Sequence, residues 1–175
     1  MARILIIGIG NPLRGDDGLA WHATRLLEQE LKGQDVEILT CHQLTPDLAE
    51  AASRSELLVL IDACAEGAPG SLAIKPVAPA GSFPGFTHDY NLETLLKTSQ
   101  SLYGCCPRAV VFTITAESFP YSSELSSCVA AAIPPLVARV RALVSGFHKD
   151  SAGRHESAEE GPLSRPGRAD LTTVN

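Results

Sequence analysis

Ile4-Leu5-Ile6-Ile7-Gly8-Ile9-Gly10-Asn11-Pro12-Leu13-Arg14-Gly15-Asp16-Asp17-Gly18 decides the fold. Its first six residues are apolar apart from one glycine, without the alternation of a half-wetted strand. A strand covered on both faces is what a parallel sheet between two helical layers requires. From Asp17 onward the period changes: Leu19, Ala23, Leu26, Leu27 and Leu31 recur at helical spacing, and Gly33 makes a stop. Strand, glycine-rich loop and helix in that order form the start of an α/β unit.

The rest of the chain repeats this alternation. Residues 35–41 read as a second strand, and Thr45-Pro46-Asp47 as the opening of a short helix, with threonine as cap and proline in the first turn. Leu57–Ile61 is a strand that runs straight into Asp62. Gly67, Pro69 and Gly70 then turn the chain into a strand over 71–77, and so short a connection favours an antiparallel neighbour and a mixed sheet. A Pro, Gly and Phe-rich loop (78–87) precedes His88. Asn91 caps a helix to about Leu102, 109–115 is a fifth strand, and 123–145 is a last helix that Pro134-Pro135 is expected to kink or break. The expected fold is a three-layer α/β/α sandwich, with a mostly parallel, mixed sheet of about five strands. One domain spans 1–147. Residues 148–175 lack aromatic residues and mix Ser, Gly, Pro, Arg and Glu, so they read as a disordered tail.

Composition narrows the function. The chain has 175 residues, enough for one core, and a net charge of −6, which argues against a nucleic-acid partner. The N-terminus lacks the long apolar run and cleavage site of a signal peptide, and no apolar stretch approaches a membrane span, so a cytoplasmic protein is expected. Five cysteines with no CxxC pair offer neither a disulfide framework nor a thiolate zinc site.

In a parallel α/β sheet, chemistry gathers where strands end at their carboxyl edge. The Gly8–Gly18 loop does not fit a dinucleotide: Leu13 replaces the third glycine of a phosphate-binding fingerprint, Pro12 removes a donor, and Asp16 and Asp17 would repel phosphate. Read singly, the two acids merely cap the helix and offset its dipole, Asp62 makes an Asx-turn, and His88 is an ordinary loop histidine. Taken together, two strand-end acids and an imidazole suit a divalent transition metal with open positions. Cys64, two residues beyond Asp62, permits a cysteine hydrolase instead, although no helix follows to activate it. No HExxH zinc signature occurs.

Gly8-x-Gly10-Asn11-x-Leu13-x-x-Asp16-Asp17-Gly18, a strand-end Asp62 and a Thr87-His88 pair ahead of Leu-rich Asn91–Lys97 resemble the hydrogenase maturation protease family over about residues 3–145. Ala20 stands where that family usually has a further glycine, and Asp17 where some members have Glu. The resemblance implies a helix-flanked twisted sheet and a metal held by Asp17, Asp62 and His88. It also implies an endopeptidase that removes the C-terminal extension of a nickel–iron hydrogenase large-subunit precursor after nickel insertion. The nickel would come with the substrate, no nucleotide is needed, and a monomer is expected. Asp16 or a ligand carboxylate is the candidate general base. A non-cleaving metal-binding scaffold for the same subunit shares the triad. A nucleoside hydrolase is the third alternative, with Phe83, Phe86 and Tyr90 as its sole aromatic cluster.

Overall fold

The computed structural model describes residues 4–81 and 90–159. They form β1 (Ile4–Ile9), a single 3-10 turn (Gly15–Gly18), α1 (Leu19–Glu30), β2 (Val36–Cys41), α2 (Leu48–Ser53), β3 (Leu57–Cys64), β4 (Leu72–Val77), α3 (Leu92–Tyr103), β5 (Arg108–Thr115) and α4 (Ser127–Glu159). The chain divides into two compact units, Met1–Ala142 and Leu143–Asn175. The first contains the whole sheet. In the second, the described residues continue α4 as far as Glu159.

The sheet runs β2-β1-β3-β5-β4, parallel throughout except at β4, which pairs antiparallel with β5. The mixed sheet is as expected, but the neighbour differs: β5 separates β3 from β4, so the short turn leads to the far edge and not to an adjacent hairpin strand. Composition explains why β4 takes that edge. Lys75 and Pro76 are exposed, and Pro76 has no N–H to give a second ladder, so this strand tolerates a free side.

Alternation along the strands builds the layers. Leu5, Ile7, Leu58 and Leu60 pack with Ala49 and Ala52 of α2 and Leu92, Leu95 and Leu96 of α3. The opposite face receives α1, and Gly8 makes that approach close: a Cβ there would lie 2.8 Å from the Thr24 side chain and 3.3 Å from the Ala20 Cβ. The extra methyl of Ala20 is therefore accommodated by the missing side chain of Gly8. An Arg141–Glu30 ion pair of 2.9 Å ties α4 to α1 on the same side.

Three boundaries differ from the sequence reading. The short helix begins at Leu48, and its opening turn is closed by the Thr45 and Pro46 carbonyls with no side-chain cap. Asn91 does cap α3, accepting the Thr94 N–H at 3.0 Å, and Gly104 (φ 70°) ends it in the left-handed region. The last helix starts at Ser127 and is continuous through Pro134 and Pro135. Both prolines are exposed, as are Ala130 and Ala131, whose carbonyls lose their helical donors on a solvent-facing side of the helix. Continuation to Glu159 matches the helix-forming residues Lys149, Ala152, Arg154, Glu156 and Ala158. Residues 160–175 of the expected tail lie outside the described residues. By length and composition alone Ser127–Asp150 is apolar enough to cross a membrane, which the sequence reading had not anticipated. In its first half the buried stripe of Val129, Ile133, Leu136, Val137 and Val140, beside exposed Arg139 and Arg141, is that of a packed core helix.

Candidate active site at the carboxyl rim of the sheet

β1 ends at Ile9, and the next residue closes the chain back on itself. Gly10 has φ 139°, and a Cβ on it would lie 1.8 Å from the Asp17 carbonyl oxygen, so only glycine fits. Its N–H continues the ladder to the Cys41 carbonyl of β2 at 3.1 Å. The next N–H, that of Asn11, donates to Asp17 Oδ2 at 2.9 Å, while Asn11 Oδ1 accepts the Leu13 N–H in an Asx-turn. The result is a hook that delivers Asp17 from the 3-10 turn to the mouth of the sheet.

Asp62 arrives there from β3. The strand does not stop before it but continues to Cys64, pairing Asp62 with Thr113 of β5. Burial pushes the Asp62 carboxyl up to about 6; the Ala63 N–H offsets part of this, and the Asp17 charge adds to it. Because β1 and β3 pair in parallel, Asp17 and Asp62 leave the sheet at the same rim, from positions far apart in sequence. Among the described residues neither forms an ion pair. Unneutralised carboxylates at one rim are donors that suit a divalent cation. Among the described residues, no three His, Cys, Asp or Glu side chains cluster as a metal site. His88, the third ligand implied by the resemblance, lies outside them, with Thr87.

Asp16 has a different duty. It is 1% exposed, and its oxygens accept the N–H groups of Glu117 (2.8 Å), Ser118 (3.2 Å) and Ser126 (2.7 Å) and the Ser126 hydroxyl (2.8 Å). Burial raises its pKa, and the four hydrogen bonds more than offset this, so the carboxyl lies below its ordinary value. Neither the 3-10 turn nor α1 is capped by a side chain, so Asp16 is not a helix cap. Fully engaged and shielded from water, Asp16 is a structural anchor and not the general base considered above. Backbone bonds from Gly15 to Ser122 (2.7 Å) and from Ser122 to Leu13 (3.1 Å) complete the seam between loop 11–18 and segment 117–126.

Other residues fall around this rim. Cys41 is half-buried; burial first, then the charges of Asp47 and Asp62, push its thiol up and keep it protonated. Cys64 shares the face of Asp62, but its Sγ is tied to the turn at Glu66, accepting that N–H and donating to that carbonyl, each at 3.4 Å. His42 is exposed with its ring edge-on to Trp21, centroids 6.0 Å apart. His22 lies elsewhere, in an open groove of about 840 Å³ between α1 and the start of α4, with Arg25, Leu26, Glu124 and Ile133. Trp21, which the sequence does not single out, donates its indole N–H to the Gly10 carbonyl at 2.9 Å. One signal could have found it: a tryptophan one helical turn past Asp17 carries a donor that needs a partner when its ring is covered.

No family model matches the sequence, and no curated protein does, so kinship rests on structure. The hydrogenase maturating endopeptidase HybD from E. coli superposes with a TM-score of 0.68 at 25% identity, over 83% of this chain and 93% of that one. A hydrogenase 2 maturation peptidase from Thaumarchaeota archaeon SCGC_AB-539-E09 is 29% identical, with a TM-score of 0.58 over 81% and 97%. In fold the chain is similar to the hydrogenase maturation endopeptidases. The [NiFe] hydrogenase maturation protease HycI from Thermococcus kodakarensis KOD1 shares the fold, with a TM-score of 0.67 at 24% identity over 82% and 93%.

Proposed function

We propose that this chain is the endopeptidase that removes the C-terminal extension of a nickel–iron hydrogenase large-subunit precursor once nickel is in place. The observation that supports the reading is a fold that superposes on maturation endopeptidases, with Asp17 and Asp62 leaving the parallel pair β1 and β3 at one rim. On this reading Asp17, Asp62 and His88 meet the nickel that the substrate carries, so the metal serves as a recognition element. A precursor without nickel then lacks the ligand the two acids attract. The protein acts as a cytoplasmic monomer and needs no nucleotide.

The chemistry is hydrolysis of one peptide bond. A water oxygen adds to the scissile carbonyl carbon and gives up a proton, the C–N bond breaks, and the departing amine takes a proton. The Asp17–Asp62 pair supplies the acceptor oxygens a general base requires, since Asp16 has none free.

Incubating the purified protein with nickel-loaded and nickel-free precursor tests the reading. Trimming of the loaded form alone is expected. Equal trimming of both would remove nickel from recognition, and failure to trim a cognate loaded precursor that the protein binds would favour a scaffold.

A further inference from the structure

The Gly10 carbonyl and the Asn11 N–H belong to one peptide group, and each end of it has a side-chain partner. Trp21 Nε1 donates to the oxygen at 2.9 Å, and Asp17 Oδ2 accepts from the N–H at 2.9 Å. Asp17 and Trp21 both stem from the same turn region, one in the 3-10 turn and one at the start of α1. The indole is itself fixed on its other side, where His42 stands edge-on at an interplanar angle of 87°.

A peptide free at its oxygen can rock about the strand end, and the φ 139° of Gly10 places few steric limits on it. A hydrogen bond at the oxygen stops that rocking and also polarises the group, which strengthens the N–H as a donor. The Asp17 carboxylate is therefore held by a donor that another side chain has aimed.

We propose that Trp21 is a positioning residue for Asp17, acting through the Gly10–Asn11 peptide to hold one carboxylate oxygen in and turn the other toward Asp62. The proposal rests on the reading of Asp17 as part of the reaction site. It assigns Trp21 no contact with substrate.

Trp21 is the only tryptophan in the chain, so its ring can be changed at one place without altering the gene. Expression in a tryptophan auxotroph fed benzothienylalanine keeps the fused ring and replaces N–H by sulfur. The Asn11 amide of the intact protein should then lose about tenfold in hydrogen-exchange protection, the scale of one hydrogen bond. Cleavage of nickel-loaded precursor should slow about tenfold in kcat with KM unchanged. In an Asp17→Ala background the analogue should cause no further loss. Trp21→Phe, refolded to the same far-ultraviolet spectrum, should show the same pattern if the analogue protein is poorly produced.

Unchanged Asn11 protection would overturn the proposal. So would a loosened Asn11 amide with full kcat, provided Asp17→Ala abolishes cleavage, because the clamp would then be structural only. If Asp17→Ala cleaves like the unaltered protein, the reading of the site has failed, and the catalytic half of the proposal falls with it.

Discussion

Asp16 and Asp62 are both aspartates, one in the 3-10 turn and one in β3, and the chain treats them in opposite ways. Around Asp16 the 117–126 segment supplies four donors, and the carboxylate is more comfortable there than in water. Around Asp62 the Ala63 N–H is the one relief among the described residues, burial works against the charge, and Asp17 adds a second negative group. The first region gains stability from its acid. The second holds its acid in a state that a proton or a cation would relieve, which is how a binding site differs from a structural joint.

The largest effect should come from Asp16→Asn. It leaves buried donors mismatched and should cost roughly 3 kcal/mol or more in urea unfolding; a loss no greater than that of Asp17→Asn would erase the distinction. Asp62→Asn should act in the other direction, raising the stability of the metal-free protein at pH 7 by about 3 kcal/mol at most, while ending cleavage. The signs follow from the shifts. The folded state binds the Asp62 proton more tightly than the unfolded chain, so stability falls as pH rises from the ordinary carboxyl value of 3.8 to about 6 and levels off above it. The Asp16 contribution is present above 3.8 and is lost as pH falls through its depressed value. Unfolding measured from pH 3 to 8 in each variant should lose one slope and keep the other. Gly10→Ala, at the hook between the two regions, should cost about 2 kcal/mol through its positive φ and the Asp17 carbonyl. Ser126→Ala removes one donor from Asp16 and leaves the Ser126 N–H. A loss of about 1 kcal/mol, seen as a small drop in Tm, is expected.

Much of this was legible in residues that act locally. The apolar runs of β1 and β3 and the Asn91 cap follow from period and capping. What was hidden depends on partners distant in sequence. Asp16 and Asp17 read alike because their difference lies about a hundred residues away, in Glu117 and Ser126. The place of β4 beyond β5 is likewise a non-local pairing. The change from 3-10 turn to α-helix at Leu19 leaves no mark on the apolar spacing, and Pro134-Pro135 is tolerated because the freed carbonyls happen to face water. His88 remains an expectation from the family motif.

The seam between residues 11–18 and 117–126 has a consequence for synthesis. While the ribosome is still making the second half of the protein, the acid-bearing loop near the N-terminus has no joint to close against. Its final shape awaits a segment some hundred residues downstream, so a truncated nascent chain carries the glycine- and acid-rich loop without the partners that fix it.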